Sequence, residues 1–436
     1  FELTDAQKRV INEIYSDMKS SNIMNRLLQG DVGSGKTIVS IFGMLIAVHS
    51  GYQSALMCPT EILAEQHFYT VSKFIEEFNV VAGTKYKVSL LVGGQKKRLR
   101  ETILQDIRLG NSHIIIGTHA LIQESVEFKS LGFVIIDEQH KFGVMQRAKL
   151  KDKGLNPDVL VMTATPIPRT LSLTYYGDLD VSIIDELPKN RIPIKTYLRK
   201  EEDKFKIWDF VKKKINEGRQ AFIIYPIIEE SEKLDLKSAE ENFEILKNGA
   251  FKDYNIGMVH GRKFWYEIEE AMNEFKEGKI NLLVATTVIE VGIDIPNATI
   301  MIIEEAQRFG LSQLHQLRGR VGRGAEQSHC ILIAKHLDEV SRKRLNTMCE
   351  TTDGFKISEV DMEIRGPGEF FGTRQSGVLN FVLTDLNRDR DILDSSRRLA
   401  FEIIDRDPQL RMPEHQTIKN MFLSKYKDAL YLMKIA

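Results

Sequence analysis

Residues 30–37 read Gly-Asp-Val-Gly-Ser-Gly-Lys-Thr, and this segment limits the folds that the rest of the chain can adopt. It has the form G-x-x-x-x-G-K-[ST], in which a glycine-rich turn and the helix after it surround the phosphates of a nucleotide. Residues 24–29 have the character of a strand and residues 36–48 that of an apolar helix, which is the setting such a loop requires. We therefore predict an α/β fold that binds a nucleoside triphosphate at this loop.

The chemistry of a triphosphate accounts for the residue types in the loop. The glycines allow backbone N–H groups to approach the phosphate oxygens. Lys36 supplies a positive charge for the β- and γ-phosphates, and Thr37 supplies a hydroxyl ligand for Mg²⁺. We expect every residue of the loop to contact the nucleotide. These residues are Gly30, Asp31, Val32, Gly33, Ser34, Gly35, Lys36 and Thr37.

A second segment, Val134-Ile-Ile-Asp-Glu-Gln-His140, reads as an apolar strand that ends in two adjacent carboxylates. Asp137 is expected to hold Mg²⁺ through a water molecule, because this ion keeps much of its hydration shell. Glu138 can then orient or deprotonate the attacking water. Acidic residues often follow a strand, so the pair alone is a weak signal. Together with the loop it predicts hydrolysis of the triphosphate.

Composition limits the class of protein. The chain has 436 residues, which predicts two or three domains. Its net charge of −1 provides no global basic field, so any contact with nucleic acid must come from local patches. Three cysteines without metal or disulfide spacing are typical of a reducing cytosol. No apolar stretch is long enough to span a bilayer. Phe1 is not an initiator methionine, so we expect a processed or truncated chain.

Two series of short apolar runs alternate with helical segments, which predicts two domains with parallel sheets buried on both faces. The runs are 54–58, 88–92, 113–117, 133–137 and 159–163, then 221–225, 256–259, 281–285, 299–303 and 330–334. The proline-bracketed segment 187–193 reads as a linker. Beyond residue 338 we predict charged helices around a Gly-rich loop, Arg365–Gly377. The predicted domains are 1–190, 191–337 and 338–436, with a ligand in the cleft between the first two.

The run from Gln313 to Gly324 places Arg318, Arg320 and Arg323 within six positions. Hydrolysis of a triphosphate requires positive charge near the departing γ-phosphoryl group, and an arginine from a facing domain can supply it. Taken alone, the run is equally consistent with a basic surface helix. Opposite a phosphate loop, it favours Arg320 or Arg323 as a catalytic arginine.

Taken in order, the motifs of the chain resemble those of a superfamily-two helicase motor over essentially its whole length. They are Leu3–Gln7, the phosphate loop, Pro59–Glu61, Gly117–His119, Asp137–His140, Thr163–Thr165, His260–Arg262, Ala285–Pro296 and Gln316–Arg323. The segments Asp137–Val144, Thr163–Thr170 and Arg365–Gly377 are similar, more narrowly, to the RecG family of bacterial DNA translocases. The resemblance implies two tandem RecA-like domains followed by a small helical translocation module.

The resemblance also implies roles for individual residues. Gln7 would read adenine, whereas without the other motifs a helix-cap role would be the better interpretation, and Gly292 and Asp294 would close on the nucleotide from the second domain. Other residues would touch DNA or couple it to the nucleotide. Thr60, Thr118 and Thr287 would contact the DNA backbone. His140, Thr163 and Thr165 would couple the nucleotide to the DNA, and Arg365 and Gln375 would do so from the terminal module. For the last two, a local turn network is the alternative.

The activity implied is ATP- and Mg²⁺-dependent translocation on double-stranded, branched DNA in recombination and repair, in the bacterial cytoplasm. Single-strand-binding protein is a candidate partner, and a monomer is expected because no heptad pattern is present. Members of the family carry a wedge domain ahead of the motor, which we do not expect here because Thr4–Gln7 already belong to the motor.

Two alternatives remain open. One is a translocase like the transcription-repair coupling factor Mfd, which a polymerase-binding module upstream would reveal. The other is a catalytically inactive nucleic-acid scaffold, which predicts loss of Lys36, Glu138 or the arginines.

Overall fold

The computed structural model describes residues 2–163, 179–188, 191–226, 232–263, 265–286, 295–370 and 389–433. Strands alternate with helices in the first three quarters of the chain, and the remainder is helical. The strands are β1 (Asn25–Gly30), β2 (Gln53–Met57), β3 (Val88–Leu91), β4 (Ile114–Gly117), β5 (Leu131–Asp137), β6 (Asp158–Thr163), β7 (Asp180–Ile184), β8 (Lys195–Lys200), β9 (Gln220–Ile224), β10 (Ile256–Val259), β11 (Leu282–Ala285), β12 (Ala298–Ile303) and β13 (His329–Ala334). The α-helices are α1 (Asp5–Lys19), α2 (Lys36–His49), α3 (Glu61–Ala82), α4 (Lys97–Leu109), α5 (Val144–Lys151), α6 (Lys204–Asn216), α7 (Glu232–Asn248), α8 (Trp265–Lys276), α9 (Leu311–Arg318), α10 (Glu339–Glu350), α11 (Gly354–Phe370), α12 (Arg390–Arg406) and α13 (Gln416–Met433).

The first domain is built on one sheet with the strand order β3-β4-β2-β5-β6-β1-β7. Its described strands pair in parallel, with Leu27 beside Val161 and Ile135 beside Leu160. Successive residues of a strand point to opposite faces, and Val134 and Ile135 accordingly belong to separate apolar clusters. Both faces of the sheet are therefore buried, as the continuous apolar runs predict.

The second domain repeats this arrangement with the strand order β10-β11-β9-β12-β13-β8, again with parallel pairs. Phe222 and Ile223 in its central strand β9 lie in different apolar clusters, one on each face. The predicted strands of both domains are confirmed to within two residues at each end. The sequence did not predict β7 and β8, which flank the linker. Each lies at the edge of its sheet and mixes polar with apolar residues, so neither shows a continuous apolar run.

Local sequence signals start and stop the helices that surround the first sheet. Helix α1 opens with a capping box, in which Thr4 Oγ1 accepts from the N–H of Gln7 at 3.2 Å and Gln7 Oε1 accepts from the N–H of Thr4 at 3.0 Å. Thr60 caps α3 by a single hydrogen bond, in which its Oγ1 accepts from the N–H of Leu63 at 3.3 Å, and Gly83 ends that helix with a left-handed backbone. No helix in the described ranges is long and apolar enough to cross a bilayer.

The helices beyond residue 338 differ in what they pack against. Leu345 and Met348 of α10 and Ile357 of α11 belong to an apolar cluster of the second sheet. Helices α12 and α13 are joined by a turn in which Asp407 binds His415 at 2.9 Å. The pair α10–α11 is thus part of the second domain's core, and a domain boundary at residue 338 remains a prediction drawn from the sequence.

The prediction of a loop over Arg365–Gly377 is wrong for its first part, because α11 continues to Phe370. Glycine and proline at 366–368 are poor helix formers, so local propensity favoured a loop. Burial of Ile357 and Met362 in the preceding turns stabilises the helix instead, since tertiary packing outweighs propensity. Residues 371–377 lie outside the described residues.

Candidate nucleotide and DNA site

The phosphate loop connects the end of β1 to the start of α2. Gly33 and Gly35 have φ angles of 77° and 88°, a left-handed region that glycine adopts without strain. The turn is closed by the N–H of Ser34, which donates to the carbonyl oxygen of Asp31 at 3.1 Å. Ser34 Oγ is buried and has no hydrogen-bond partner among the described residues. A buried hydroxyl of this kind can donate to a phosphate oxygen, which fits the predicted ligand.

Lys36 lies at the centre of the loop's charges. Its Nζ donates to the carbonyl oxygens of Gly30 at 2.8 Å and Asp31 at 3.0 Å. Burial lowers the pKa of Lys36, and nearby carboxylates counteract that effect, with Glu138 contributing the most. The acidic pair at the end of β5 therefore lies within electrostatic reach of the loop lysine, as the sequence predicts.

Asp137 is held in place by a residue that the sequence motifs do not reveal. Its Oδ2 accepts from Nε2 of His67, on helix α3, at 3.0 Å, and its Oδ1 accepts from the N–H of Glu138 at 3.1 Å. Both Asp137 and His67 are buried. No motif spacing connects His67 to the acidic pair, because the tertiary fold alone brings the two together. This imidazole fixes the orientation of the carboxylate.

Glu138 has a strained backbone, with φ 49° and ψ 56°. The left-handed region is uncommon for a residue with a side chain and costs about 1–3 kcal/mol. Such strain persists where the surrounding structure enforces it, and it occurs often at active sites.

The second domain touches the phosphate loop through the segment that follows α9. A Cβ atom added to Gly319 would lie 2.6 Å from Cγ1 of Val32, so the side chain of Val32 packs on the backbone of Gly319 at a distance that only glycine allows. The positive charge of Arg323 is among the groups that lower the pKa of Lys36, after burial. Arg320 is buried, with 8% of its surface exposed. The predicted catalytic arginines therefore lie on the segment that faces the loop.

Arg318 has a different environment from the other two arginines. It is 2% exposed, and its Nη1 donates to the carbonyl oxygens of Met348 at 2.9 Å and Thr351 at 2.8 Å. Its guanidinium thus ties α9 to the end of α10. This arginine stabilises the second domain and does not point into the cleft.

One direct contact between the domains involves a histidine that the sequence motifs do not reveal. Nε2 of His315, on α9, donates to Oδ1 of Asp31 at 2.5 Å, and the N–H of Gly354 donates to Oδ2 at 3.1 Å. Burial alone would raise the pKa of Asp31, but the hydrogen bonds from His315, Val32 and Gly354 outweigh burial and lower that pKa. Asp31 is therefore a carboxylate that joins the two domains.

Gln7 connects the first helix to the phosphate loop. Its Nε2 donates to the carbonyl oxygen of Ser34 at 2.8 Å, while its Oε1 takes part in the capping box of α1. The helix-cap alternative is thus observed, and recognition of adenine by Gln7 stays a prediction. The linker also reaches the loop, because Nη1 of Arg191 donates to the carbonyl oxygen of Val32.

Three of the threonines expected to contact DNA or couple it to the nucleotide lie at the carboxyl edge of the first sheet. Thr118 follows β4, Thr163 ends β6, and Thr60 starts α3 after β2. Thr118 and Thr163 are almost completely buried, and the hydroxyl of Thr118 has no hydrogen-bond partner among the described residues. The remaining predicted residues lie outside the described residues or have undescribed side chains. Those outside the described residues are Thr165, Thr287, Gly292, Asp294 and Gln375. Those whose side chains are not described are His140 and Arg365.

A basic patch lies at the start of α4, after a turn that contacts the first residue of α3, the helix that Thr60 caps. Lys96, Lys97 and Arg98 are exposed where α4 begins. The preceding turn is tied to α3, because the N–H of Gly93 donates to Oε1 of Glu61 at 2.9 Å. The overall charge of −1 requires a local patch for contact with nucleic acid, and this one lies at the edge of the sheet where the threonines lie.

Thr37 and Asp137 fit the way proteins hold Mg²⁺. This ion usually takes one or two carboxylates and completes its shell with water and substrate phosphates. Among the described residues, no cluster of three His, Cys, Asp or Glu side chains could hold a metal by itself. A single carboxylate with a hydroxyl therefore suits an ion that arrives together with a triphosphate.

Three family models match the chain. One described as DEAD/DEAH box helicase matches residues 4–174, and one described as helicase conserved C-terminal domain matches 204–325. The third, ATP-dependent DNA helicase RecG, domain 3, C-terminal, matches 351–432. The structure of Mss116p bound to single-stranded RNA and AMP-PNP is 20% identical with a TM-score of 0.61, covering 80% of this chain and 73% of that one, and supports the fold alone.

Curated relatives are similar over nearly the whole chain. ATP-dependent DNA helicase RecG of Synechocystis sp. is 50% identical, with 99% of this chain and 51% of that protein aligned. The protein of the same name from Bacillus subtilis is 49% identical over 97% of this chain and 61% of its own length. A structure of RecG bound to a three-way DNA junction is 46% identical with a TM-score of 0.74, covering 90% of this chain and 50% of that one. The chain spans about half the length of these relatives, and it belongs to the RecG family of ATP-dependent DNA helicases.

Proposed function

We propose that this chain is an ATP-hydrolysing motor that moves along double-stranded DNA and acts on branched DNA. The observation that carries the proposal is the set of charges around Lys36, which combines acids of the first domain with Arg323 of the second. A phosphate loop alone binds a nucleotide. An arginine from a facing domain makes hydrolysis depend on closure of the cleft, and a closure linked to hydrolysis can drive movement.

Each group in the cleft has one task in this reaction. Lys36 balances the charge of the β- and γ-phosphates, and Glu138 orients or deprotonates the attacking water. Arg323, with Arg320 as the alternative, stabilises the charge that develops as the γ-phosphoryl group leaves. Mg²⁺ bound by Thr37, Asp137 and the phosphates would neutralise charge on the phosphate oxygens. Adenine recognition by Gln7, and closure of Gly292 and Asp294 on the nucleotide, complete the proposed site.

The DNA track is proposed along the carboxyl edge of the first sheet. Thr60, together with the exposed Lys96–Arg98 patch, would hold the DNA backbone without reading its sequence. The similar solved structure is bound to a three-way DNA junction, which supports branched DNA as the substrate. Thr118 and Thr287 would also touch the DNA backbone, and His140, Thr163 and Thr165 would couple the nucleotide state to the DNA. Arg365 and Gln375 would transmit closure to the DNA.

The alternatives have less support. The match of residues 351–432 to a RecG model favours this family over an Mfd-like translocase. An inactive scaffold has no need of the loop lysine, the acidic pair and the arginines, all of which are present. We also propose a cytoplasmic protein, since its three cysteines are free, that works as a monomer with single-strand-binding protein as a candidate partner.

The test is ATP hydrolysis measured without DNA, with linear duplex and with a three-way junction. We expect the junction to stimulate turnover, and we expect Lys36→Ala to abolish it because the loop loses its fixed cation. Lys153→Ala is a matched control, since its Nζ also donates to two backbone carbonyl oxygens, at 2.6 and 2.9 Å, but far from the cleft. Ordinary turnover in Lys36→Ala, or turnover indifferent to DNA, would contradict the proposal.

A further inference from the structure

A single carboxylate of the phosphate loop contacts two helices of the other domain. Asp31 Oδ1 accepts from Nε2 of His315 on α9 at 2.5 Å, and Asp31 Oδ2 accepts from the N–H of Gly354 on α11 at 3.1 Å. The loop orients the same carboxylate through the N–H of Val32, which donates to Oδ1 at 2.6 Å. We call Asp31, His315 and Gly354 the clasp.

Arg318 selects the tautomer of the histidine in the clasp. Its Nη2 lies 2.9 Å from Nδ1 of His315. A guanidinium has only donors, so Nδ1 must be the acceptor and the ring hydrogen must lie on Nε2. That hydrogen points at Asp31. Arg318 is itself fixed by carbonyl oxygens of residues 348, 351 and 352, so the ring cannot rotate without breaking this network.

The other arm of the clasp caps a helix across the domain boundary. The first N–H groups of a helix have no partner within the helix. In α11, Asp353 Oδ1 accepts from the N–H of Phe355 at 2.9 Å, and Asp31 accepts from that of Gly354. A carboxylate is favourable at the positive end of a helix. The phosphate loop of the first domain therefore supplies a cap for a helix of the second.

Helix α11 also carries Arg365, the residue proposed to transmit closure to DNA. The clasp thus connects the phosphate loop, where a nucleotide's phosphates would lie, directly to the start of that helix. The contact is partly buried, with 5% of His315 and 15% of the Asp31 side chain exposed. Water therefore competes poorly for these hydrogen bonds.

We propose that Asp31 is a positioning residue that couples the nucleotide state of the phosphate loop to helix α11 through its bonds to His315 and Gly354. The proposal rests on the proposed function and adds a specific route from ATP to the coupling helix. When the loop adjusts to the γ-phosphate, Asp31 moves with it. The start of α11 then follows because Asp31 is its cap.

The first measurement is amide hydrogen exchange in the complete natural protein, with and without a non-hydrolysable ATP analogue. We expect the analogue to protect residues 354–364 in the wild type, because a closed clasp holds the N–H groups of α11. The protection should be lost in Asp31→Asn, whose amide accepts fewer bonds, and in His315→Ala. Asp407→Asn is a matched control, since Asp407 accepts from a histidine and two backbone N–H groups but lies away from the cleft.

The second measurement is the number of base pairs unwound for each ATP hydrolysed. We expect Asp31→Asn and His315→Ala each to lower this ratio by about 10-fold, within the usual range of coupling between two sites. The double variant should equal either single variant, because both remove one linkage. Asp407→Asn should leave the ratio unchanged.

The proposed coupling through the clasp would be refuted if the ATP analogue still protected residues 354–364 in Asp31→Asn. It would also be refuted if the two substitutions lowered the number of base pairs unwound for each ATP independently, so that their effects multiplied in the double variant. Nucleotide-dependent protection in a wild-type protein that neither hydrolyses ATP nor responds to DNA would instead refute the proposed function while leaving the clasp in place.

Discussion

The substitution Gly319→Ala tests whether hydrolysis depends on close approach of the two domains. The backbone of Gly319 has φ −67° and ψ −6°, which alanine adopts without strain. Its new Cβ would lie 2.6 Å from Cγ1 and 2.8 Å from Cβ of Val32. Carbon atoms prefer a separation of about 3.5–4.0 Å, so the second domain must withdraw by about 1 Å. Misplacement by that distance can lower a catalysed rate by about 10²-fold.

We therefore expect kcat of DNA-stimulated ATP hydrolysis to fall by about 10²-fold in Gly319→Ala. The midpoint of thermal unfolding should not fall, because the domains can relieve the overlap by separating. Combining the change with Val32→Ala removes Cγ1 and Cγ2 and should recover part of the lost rate. A kcat within about twofold of the wild type would show that the rate of hydrolysis does not depend on the close approach of Gly319 to Val32.

Three further substitutions separate the roles in the cleft. Glu138→Gln is expected to retain ATP binding and lose most of kcat, since an amide cannot accept the proton of the attacking water; weaker binding with intact chemistry would contradict this role. Arg323→Ala should slow hydrolysis by about 10³-fold in a single-turnover assay with little change in nucleotide affinity, whereas an effect on DNA affinity alone would move the residue to the DNA track. Arg365→Ala should keep DNA-stimulated ATP hydrolysis and stop fork unwinding in the complete natural protein, and a parallel loss of both would place α11 in the ATPase itself.

The sequence predicted the features that depend on neighbouring residues. The spacing of glycines and lysine in 30–37 specifies a backbone turn, and the observed left-handed Gly33 and Gly35 agree with it. Continuous apolar runs predicted the buried central strands for the same reason, since each residue of such a strand contacts a core. Edge strands β7 and β8 lack that signal because a neighbour covers only one of their sides.

Features that depend on distant residues were not predictable from spacing. His67 and Asp137 are seventy positions apart, and His315 and Asp31 are 284 apart. A lone histidine in a helix gives no indication of the carboxylate that the fold will bring to it. At helix α11 a local signal was misleading. Low helix propensity at 366–368 predicted a loop, but packing of the earlier turns stabilises a helix there.

Helix α11 is long enough to convert a small rotation at its start into a large displacement at its end. Its 17 residues span about 25 Å at 1.5 Å each. Its start is attached to the phosphate loop through Asp31, so a tilt of about 8° there would displace its far end by about 3.4 Å, which equals the spacing of successive base pairs along one strand. A small angular change at the phosphate loop would thus be converted into travel on the scale of a single base pair at the end of α11. Distances from the phosphate loop to the end of α11, measured with spin labels in different nucleotide states, would show whether the helix tilts by this amount.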